Sequence, residues 1–322
     1  MNNCRISVTD GQVWNLEATI LKLAHSVLRD QPVVVDLLHE GPDCAESGVD
    51  RMLNSIVAQF GVDPGLFTIH TSNQVPSSRY REQRQPFIEL ATAQRHILTD
   101  QSATWSHRFG MFIGRSNWQR LGIASYLHTH HAQQALMTFH YDHKSDFHAD
   151  NFGLEQLVTR HWADWPDIYN FVQQLPITDE THEYPITWNN RAFDLAHRYR
   201  DIFCDIVCET FWSGRSFFVT EKTLRAIANR RPFLVQSSQY YLKNLQRLGF
   251  RTFSPWWDES YDQDPADARY QTFKQAIDWI ASQSDATLHA WYQEMQPVLD
   301  HNCQVLASLT NQQIISTEFH HD

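Results

Sequence analysis

The chain has 322 residues, room for two domains of ordinary size, and its 42% hydrophobic and 20% charged residues mark a folded globular protein rather than a disordered one. A formal net charge of -11 and a pI near 5.9 argue against a nucleic-acid partner, which needs a basic surface. Five cysteines without a Cys-x-x-Cys pair indicate neither a disulfide framework nor a zinc knuckle. The opening MNNCRISVTDGQVW lacks the apolar core of a signal peptide, and no run approaches the roughly 20 apolar residues of a transmembrane segment, so a cytoplasmic protein is expected.

In chain order, apolar residues at helical spacing predict a helix over 13–29. Pro32-VVVDLL-His39 reads as a buried strand that ends in the turn Glu40-Gly41-Pro42-Asp43. A helix over 49–60 stops at Gly61, and Leu66 to His70 is a second strand. The stretch from Gln74 to about Trp105 is polar and reads as irregular. The pattern then restarts with a strand over 109–114, a polar loop Arg115-Ser116-Asn117, a helix over 119–128 and a strand over 135–140. A third series has a strand over 202–210, a loop to Phe217, a helix from Thr220 to Arg230 or Arg231 and a short strand over 233–235. A helix over 239–248, a strand over 250–253 and helices from Asp267 onward complete the chain. Strand-helix alternation of this kind predicts an α/β protein with parallel sheets, in tandem, followed by a helical C-terminal tail.

In open α/β sheets ligands bind beyond the carboxyl ends of strands, at loops that open helices. Three such loops stand out: Gly114 to Arg120, Glu209 to Ser216, and Val219 to Lys222. They bring Arg115, Arg120, Lys222, Glu209 and Glu221 together with the unpaired N–H groups of two helix N-termini, a composition suited to a phosphorylated ligand. When a nucleoside diphosphate leaves a sugar, negative charge grows on the bridging oxygen, and Arg, Lys and a helix N-terminus can stabilise it without a metal. Arg120 and Lys222 are the candidates for that role, and Glu221 for the ribose hydroxyls. A plainer reading stays open at each position: Thr220 as a helix cap, Glu221 and Lys222 as an ordinary exposed first turn, Arg120 as a solvated helix residue.

The segment Val207-Cys208-Glu209-Thr210, then Phe218-Val219-Thr220-Glu221-Lys222, then Arg231-Pro232-Phe233-Leu234-Val235, resembles the donor motif of the α-1,3/4-fucosyltransferases. The upstream Ser116-Asn117 loop and Arg120 match that family in order and spacing. The resemblance covers about residues 108 to 236 and implies a GT-B fold with two Rossmann-like domains. By that reading residues 1–105 form the acceptor-side domain, 106–285 the nucleotide-sugar domain and 286–322 a C-terminal helix and tail. It implies inverting, metal-independent transfer of fucose or a related sugar from a GDP-linked donor to a glycan or other hydroxyl acceptor, with no cofactor. Arg120 and Lys222 would hold the diphosphate, Glu221 the ribose, and Glu209 and Phe218 the nucleotide and sugar side. Arg115, Ser116, Asn117 and Thr220 would complete the donor site. Thr210 and Phe218 depart from the Asn and Tyr of the family, at positions that bear on the sugar.

An inverting transfer needs a base to take the acceptor's proton. Glu40, in the turn after the first strand, is the candidate, with Asp43 and Glu46 as rivals. Two other classes remain. One is a non-catalytic nucleotide-binding protein on the same fold. The other is a metal-dependent hydrolase or isomerase built on the cluster from His140 to Asp150, which holds three His and three Asp.

Overall fold

The computed structural model describes residues 2–5, 8–9, 12–13, 31–37, 41–87, 89–99, 104–114, 116–139, 162–178 and 195–319. Its frame is two four-stranded sheets, each wholly parallel. The first sheet has the order β1 (Asn2–Arg5), β4 (Val33–Leu37), β5 (Phe67–Thr71), β6 (Arg81–Arg84). β2 (Val8–Thr9) and β3 (Gln12–Val13) form a separate antiparallel pair. The run of three valines in β4 is buried because a central parallel strand is covered on both faces. Helix α1 (Val49–Phe60) lays Val49, Met52, Leu53 and Ile56 against Val33, Val35, Phe67 and Ile69. That three-and-four spacing is the apolar stripe a surface helix needs. The predicted helix over 13–29 lies outside the described residues.

The polar stretch after Gln74 holds two elements that its composition hides. β6 is the tetrapeptide Arg-Glu-Gln-Arg, paired with β5 from Thr68↔Arg81 to Thr71↔Arg84. It carries no apolar residue, so it is a strand by position at the end of a sheet rather than by propensity. Helix α2 (Leu90–Arg95) buries Leu90 and Ala93 in the core of the second sheet.

The second sheet has the order β10 (Phe233–Gln236), β9 (Ile202–Cys208), β7 (His107–Ile113), β8 (Ala135–Phe139). β7 leads through helix α3 (Trp118–His131) to β8 on one flank, and the chain later returns to place β9 on the other. Helices α4 (Trp165–Val172) and α5 (Ala196–Tyr199) precede β9. All seven residues of β9 are buried, Asp205 among them. Its carboxylate accepts from the Tyr199 hydroxyl, and that hydroxyl accepts from Arg225 Nε at 2.7 Å, so a charge inside the sheet is answered from the helix packed on it. That helix is α6 (Glu221–Ala228), which leads into β10.

Phe250 to Phe253, expected as a strand, is not one. After helix α7 (Tyr241–Arg247) its backbone is held by side chains instead of a ladder: Arg251 N donates to Asn302 Oδ1 at 2.8 Å and Phe253 N to Glu259 Oε1 at 2.8 Å. The aromatic rings of Phe250 and Phe253 are buried all the same, which is why the segment looks like a strand in sequence. The expected C-terminal helices are present as α8 (Ala266–Ala281), α9 (Asp285–Ser308) and α10 (Asn311–Ser316). Among the described residues no helix is long and apolar enough to cross a membrane.

Among the described residues Asn73 makes the most hydrogen bonds of any side chain where the two sheets meet. Asn73, just beyond β5, is fully shielded from solvent. Its Nδ2 donates to the Arg215 carbonyl at 2.8 Å, and its Oδ1 accepts from Phe217 N at 2.9 Å and from Val75 N at 3.0 Å. Gln74 N adds a bond to the Phe217 carbonyl at 2.9 Å, and Ser216 Oγ donates to the Gly41 carbonyl. Asp43 Oδ2 accepts from Arg215 N at 2.6 Å. Close approach needs glycine on each side. A Cβ on Gly41 would lie 2.7 Å from Asn73 N, and one on Gly214 would lie 2.5 Å from Glu46 Oε2 and 2.7 Å from Asp43 Cβ.

Replacing Asn73 by Ala strands the buried N–H groups of Val75 and Phe217, where an unmet polar group costs about 1–3 kcal/mol. Asn73→Ala should lower the unfolding free energy in urea by roughly 3 kcal/mol. A loss below about 0.5 kcal/mol, the range of an ordinary surface substitution, would show that the bridge is dispensable.

Candidate functional site

The strand order of the second sheet reverses between β7 and β9, because β8 lies on one side of β7 and β9 and β10 on the other. Such a reversal leaves the two following connections diverging, and a crevice opens between the carboxyl ends of the strands. Ser116 and Asn117 follow β7 there, and Glu209 follows β9.

Two helices begin at this point. Asn117 caps α3, its Oδ1 accepting from Arg120 N at 3.0 Å. Thr220 caps α6, its Oγ1 accepting from Lys222 N at 3.2 Å. Both caps follow from sequence, since Asn and Thr offer a short acceptor to the unpaired first-turn amides. Arg120 is buried and its Nη2 donates to the Glu209 carbonyl at 3.0 Å, tying the start of α3 to the end of β9. Lys222 Nζ pairs with Glu221 Oε1 at 2.8 Å and reaches Thr220 Oγ1 at 3.3 Å. The structure therefore brings Ser116, Asn117, Arg120, Glu209, Thr220, Glu221 and Lys222 to one crevice. Phe218 is half-buried beside Gly41, at the seam with the first sheet. Arg115 and Glu40 lie outside the described residues, as does the cluster from His140 to Asp150.

Glu209 is almost fully buried, and its Oε1 gathers three donors: Thr223 Oγ1 at 2.6 Å, Tyr241 OH at 2.8 Å and Thr220 N at 3.3 Å. Oε2 of Glu209 and Oγ of Ser116, both buried, have no hydrogen-bond partner among the described residues. Sequence reasoning missed Thr223 and Tyr241. Thr223 could have been found, being one helical turn after the cap; Tyr241 reaches Glu209 from another helix and leaves no local trace. It also missed Asn73. Of the rival bases, Asp43 is occupied by Ala45 N at 2.8 Å, Glu46 N at 3.2 Å and Arg215 N at 2.6 Å, and is buried. Glu46 is exposed and its carboxylate stands against Gly214 of the opposite loop.

The charges of the site are balanced, Arg120 and Lys222 standing beside Glu209 and Glu221. Burial alone would raise the Glu221 carboxyl, yet the Lys222 ammonium beside it, with Arg225 behind, brings it down to about 2. Burial pushes the Cys208 thiol up to about 12 even though Arg120 and Lys222 both pull it down, which places the two cations around the end of β9. Arg120, Glu209 and Thr220 are buried, whereas Lys222 and Glu221 keep 16% and 28% of their side chains in solvent and so meet a ligand first. Two clefts lie away from this site, of about 750 Å³ beside β6 and about 260 Å³ beside Trp279. Among the described residues no group of three or more potential ligands could hold a metal ion. No family model and no curated protein sequence matches the chain.

The carboxyls give the fold a two-part response to pH. Glu221, held at about 2, adds stability that is lost as pH falls from its ordinary 4.5 toward 2. Asp262 caps α7 by accepting from Leu242 N at 2.8 Å and Lys243 N at 3.1 Å, but its burial raises its carboxyl from 3.8 to about 6. Between those values the folded chain holds a proton that the unfolded chain has lost, so stability falls as pH rises through that window. Urea titrations should show Glu221→Gln removing part of the acid-side rise and Asp262→Asn removing part of the decline toward pH 6. Unchanged profiles in both variants would contradict this assignment.

Proposed function

We propose that the chain is an inverting, metal-independent glycosyltransferase of GT-B type, taking fucose or a related sugar from a nucleoside-diphosphate donor, GDP-linked by resemblance, to a hydroxyl acceptor. The observation that carries the reading is the convergence of two capped helix N-termini, Arg120 and Lys222 on the strand-order reversal between β7 and β9. Oriented amides and fixed cations stabilise a diphosphate leaving group as its charge develops. Lys222, partly exposed on the first turn of α6, is the phosphate-facing cation. Glu221 accepts from the ribose hydroxyls and, until a donor arrives, holds Lys222 in place. Arg120 acts by positioning: its guanidinium fixes the Glu209 backbone, and Glu209 in turn receives Thr220 N at the head of α6. The acceptor's proton goes to a carboxylate of the first sheet, with Glu40 and the exposed Glu46 as the choices and Asp43 too heavily engaged to serve.

A second reading, a protein that binds the nucleotide and transfers nothing, is favoured by the burial of Arg120 and Glu209. Donor turnover separates the two readings.

Thermal unfolding with GDP, UDP and their sugar conjugates in EDTA tests the donor site. A ligand at 100 times its Kd stabilises the folded chain by about 2.7 kcal/mol. Lys222→Ala should weaken that binding by at least about tenfold, a loss of roughly 1.4 kcal/mol, read as the ligand-induced shift above the variant's own unliganded melting temperature, which falls because Glu221 loses its partner. No shift with any nucleoside diphosphate would remove the reading. Binding without release of nucleotide from any donor would favour the non-catalytic one.

A further inference from the structure

Helix α8 carries two faces of different character. Tyr270, Phe273, Ile277 and Ile280 are buried in the core of the second sheet. Thr272, Gln275, Ala276 and Trp279 recur at helical spacing on another face, and together with Asp258 from the preceding loop they line the cleft of about 260 Å³. Ala276, small and buried, forms the floor between longer neighbours. Sites for drug-sized ligands run to roughly 300–1,000 Å³, so this one takes a single small ring.

Trp279 leaves 51% of its surface in solvent, yet its ring is tied down. Its Nε1 donates to the Trp256 carbonyl at 3.0 Å, and Trp256 Nε1 in turn donates to Glu294 Oε2 on α9 at 3.1 Å. The one polar atom of the indole is therefore already used, and what remains for the cleft is an apolar π-face held in place. A platform fixed beforehand lowers the ordering cost of binding. Among the described residues the other exposed large apolar side chains are Tyr169 and Ile315, and neither lines this cleft. A protein partner covers a contiguous apolar patch. One aromatic face inside a polar rim fits a small amphipathic molecule instead.

The rim selects the molecule. Asp258 is exposed, and each of its oxygens accepts one bond from Ser260, from N at 2.8 Å and from Oγ at 2.9 Å. A carboxylate offers about four lone-pair sites, so both oxygens can accept again. The Thr272 hydroxyl gives its proton to Asp264 Oδ2 at 2.7 Å and has only acceptor capacity left. Gln275, exposed, brings an amide with both donors and an acceptor. Among the described residues no cation lines the cleft, so an anionic ligand would meet Asp258 unopposed. An uncharged ring with hydroxyl donors around its edge and C–H groups on its face matches every group present. We propose that the cleft binds a neutral sugar ring, its C–H face on Trp279 and its hydroxyls shared between Asp258 and Gln275. The site is separate from the donor crevice and does not rest on the reading of that crevice: a carboxylate guards it, where a phosphate site needs a cation.

The test is saturation-transfer NMR on the full chain without nucleotide. The probes are the methyl glycosides of glucose, galactose, mannose and fucose, with choline and inorganic phosphate as charged controls. At least one glycoside should bind in the millimolar range, the affinity that a single small ring reaches, with the strongest transfer to the C–H protons of one ring face. Trp279→Ala should weaken that binding by at least about tenfold. Gln275→Ala, a change at an exposed helix position, should weaken it by at least about threefold, and it carries the test should Trp279→Ala unfold. Neither substitution should change the thermal shift given by a nucleoside diphosphate, so this site and the donor crevice stand or fall separately. A trisaccharide of the bound sugar distinguishes its sources: tighter binding than the glycoside marks a residue of a glycan chain, equal binding a free sugar. No glycoside binding at tens of millimolar, or binding that survives both substitutions, overturns the proposal. So does choline or phosphate binding tighter than every glycoside in a manner that Trp279→Ala removes, because the ligand is then an ion.

Discussion

The junction of the two sheets is organised around the amide of Asn73. A side-chain amide presents a donor and an acceptor a fixed distance apart, much as a short piece of backbone does. Asn73 uses both on the loop after β9, taking Phe217 N and giving to the Arg215 carbonyl. The loop thus gains a strand-like partner where no strand continues. Asn73 and Phe217 are buried, so the bond from Phe217 N has no water to exchange with and holds the loop against the first sheet. Gly41 and Gly214 let the backbones come close enough for this to happen. The placement of Phe218, Thr220 and the head of α6 follows from a contact made by a residue far away in sequence.

A second buried group, the Glu209 carboxylate, sets the inner wall of the same region. With three donors on one oxygen it fixes the start of α6 and the ring of Tyr241 relative to β9. Donors directed at a carboxylate lower the cost of keeping it away from water. The charged side chains of the crevice therefore divide into two kinds. Arg120 and Glu209 shape it from inside, while Lys222 and Glu221 face outward and can exchange partners. A cradle of this sort is preorganised: its dipoles point the right way before any anion comes.

The sequence made the strongly patterned parts legible. The valine run of β4, the stripe of α1, and the strand-loop-helix passages at β7 and β9 emerge close to where they were expected, because burial on both faces and capping chemistry are local facts. β6 was hidden, since an Arg-Glu-Gln-Arg edge strand has no hydrophobic alternation to betray it. Phe250 to Phe253 misled in the opposite sense, being apolar and buried yet supported by Asn302 and Glu259 from outside the segment. Of the candidate site, the caps Asn117 and Thr220 could be read outright. That Arg120 would turn inward, and that Asn73, Thr223 and Tyr241 would complete the region, depended on contacts between elements that no window of sequence contains.

The ring of Phe319 packs, tilted, 4.9 Å from that of Phe217, the residue whose N–H bonds Asn73. On the ribosome the two sheets can collapse as their own strands emerge, since domains tend to fold as units during synthesis. The loop between them cannot reach its final packing until residue 319 has been made and has cleared the exit tunnel. Maturation of this junction therefore waits on residue 319, and a product terminated before it would carry both sheets with their common seam unsealed.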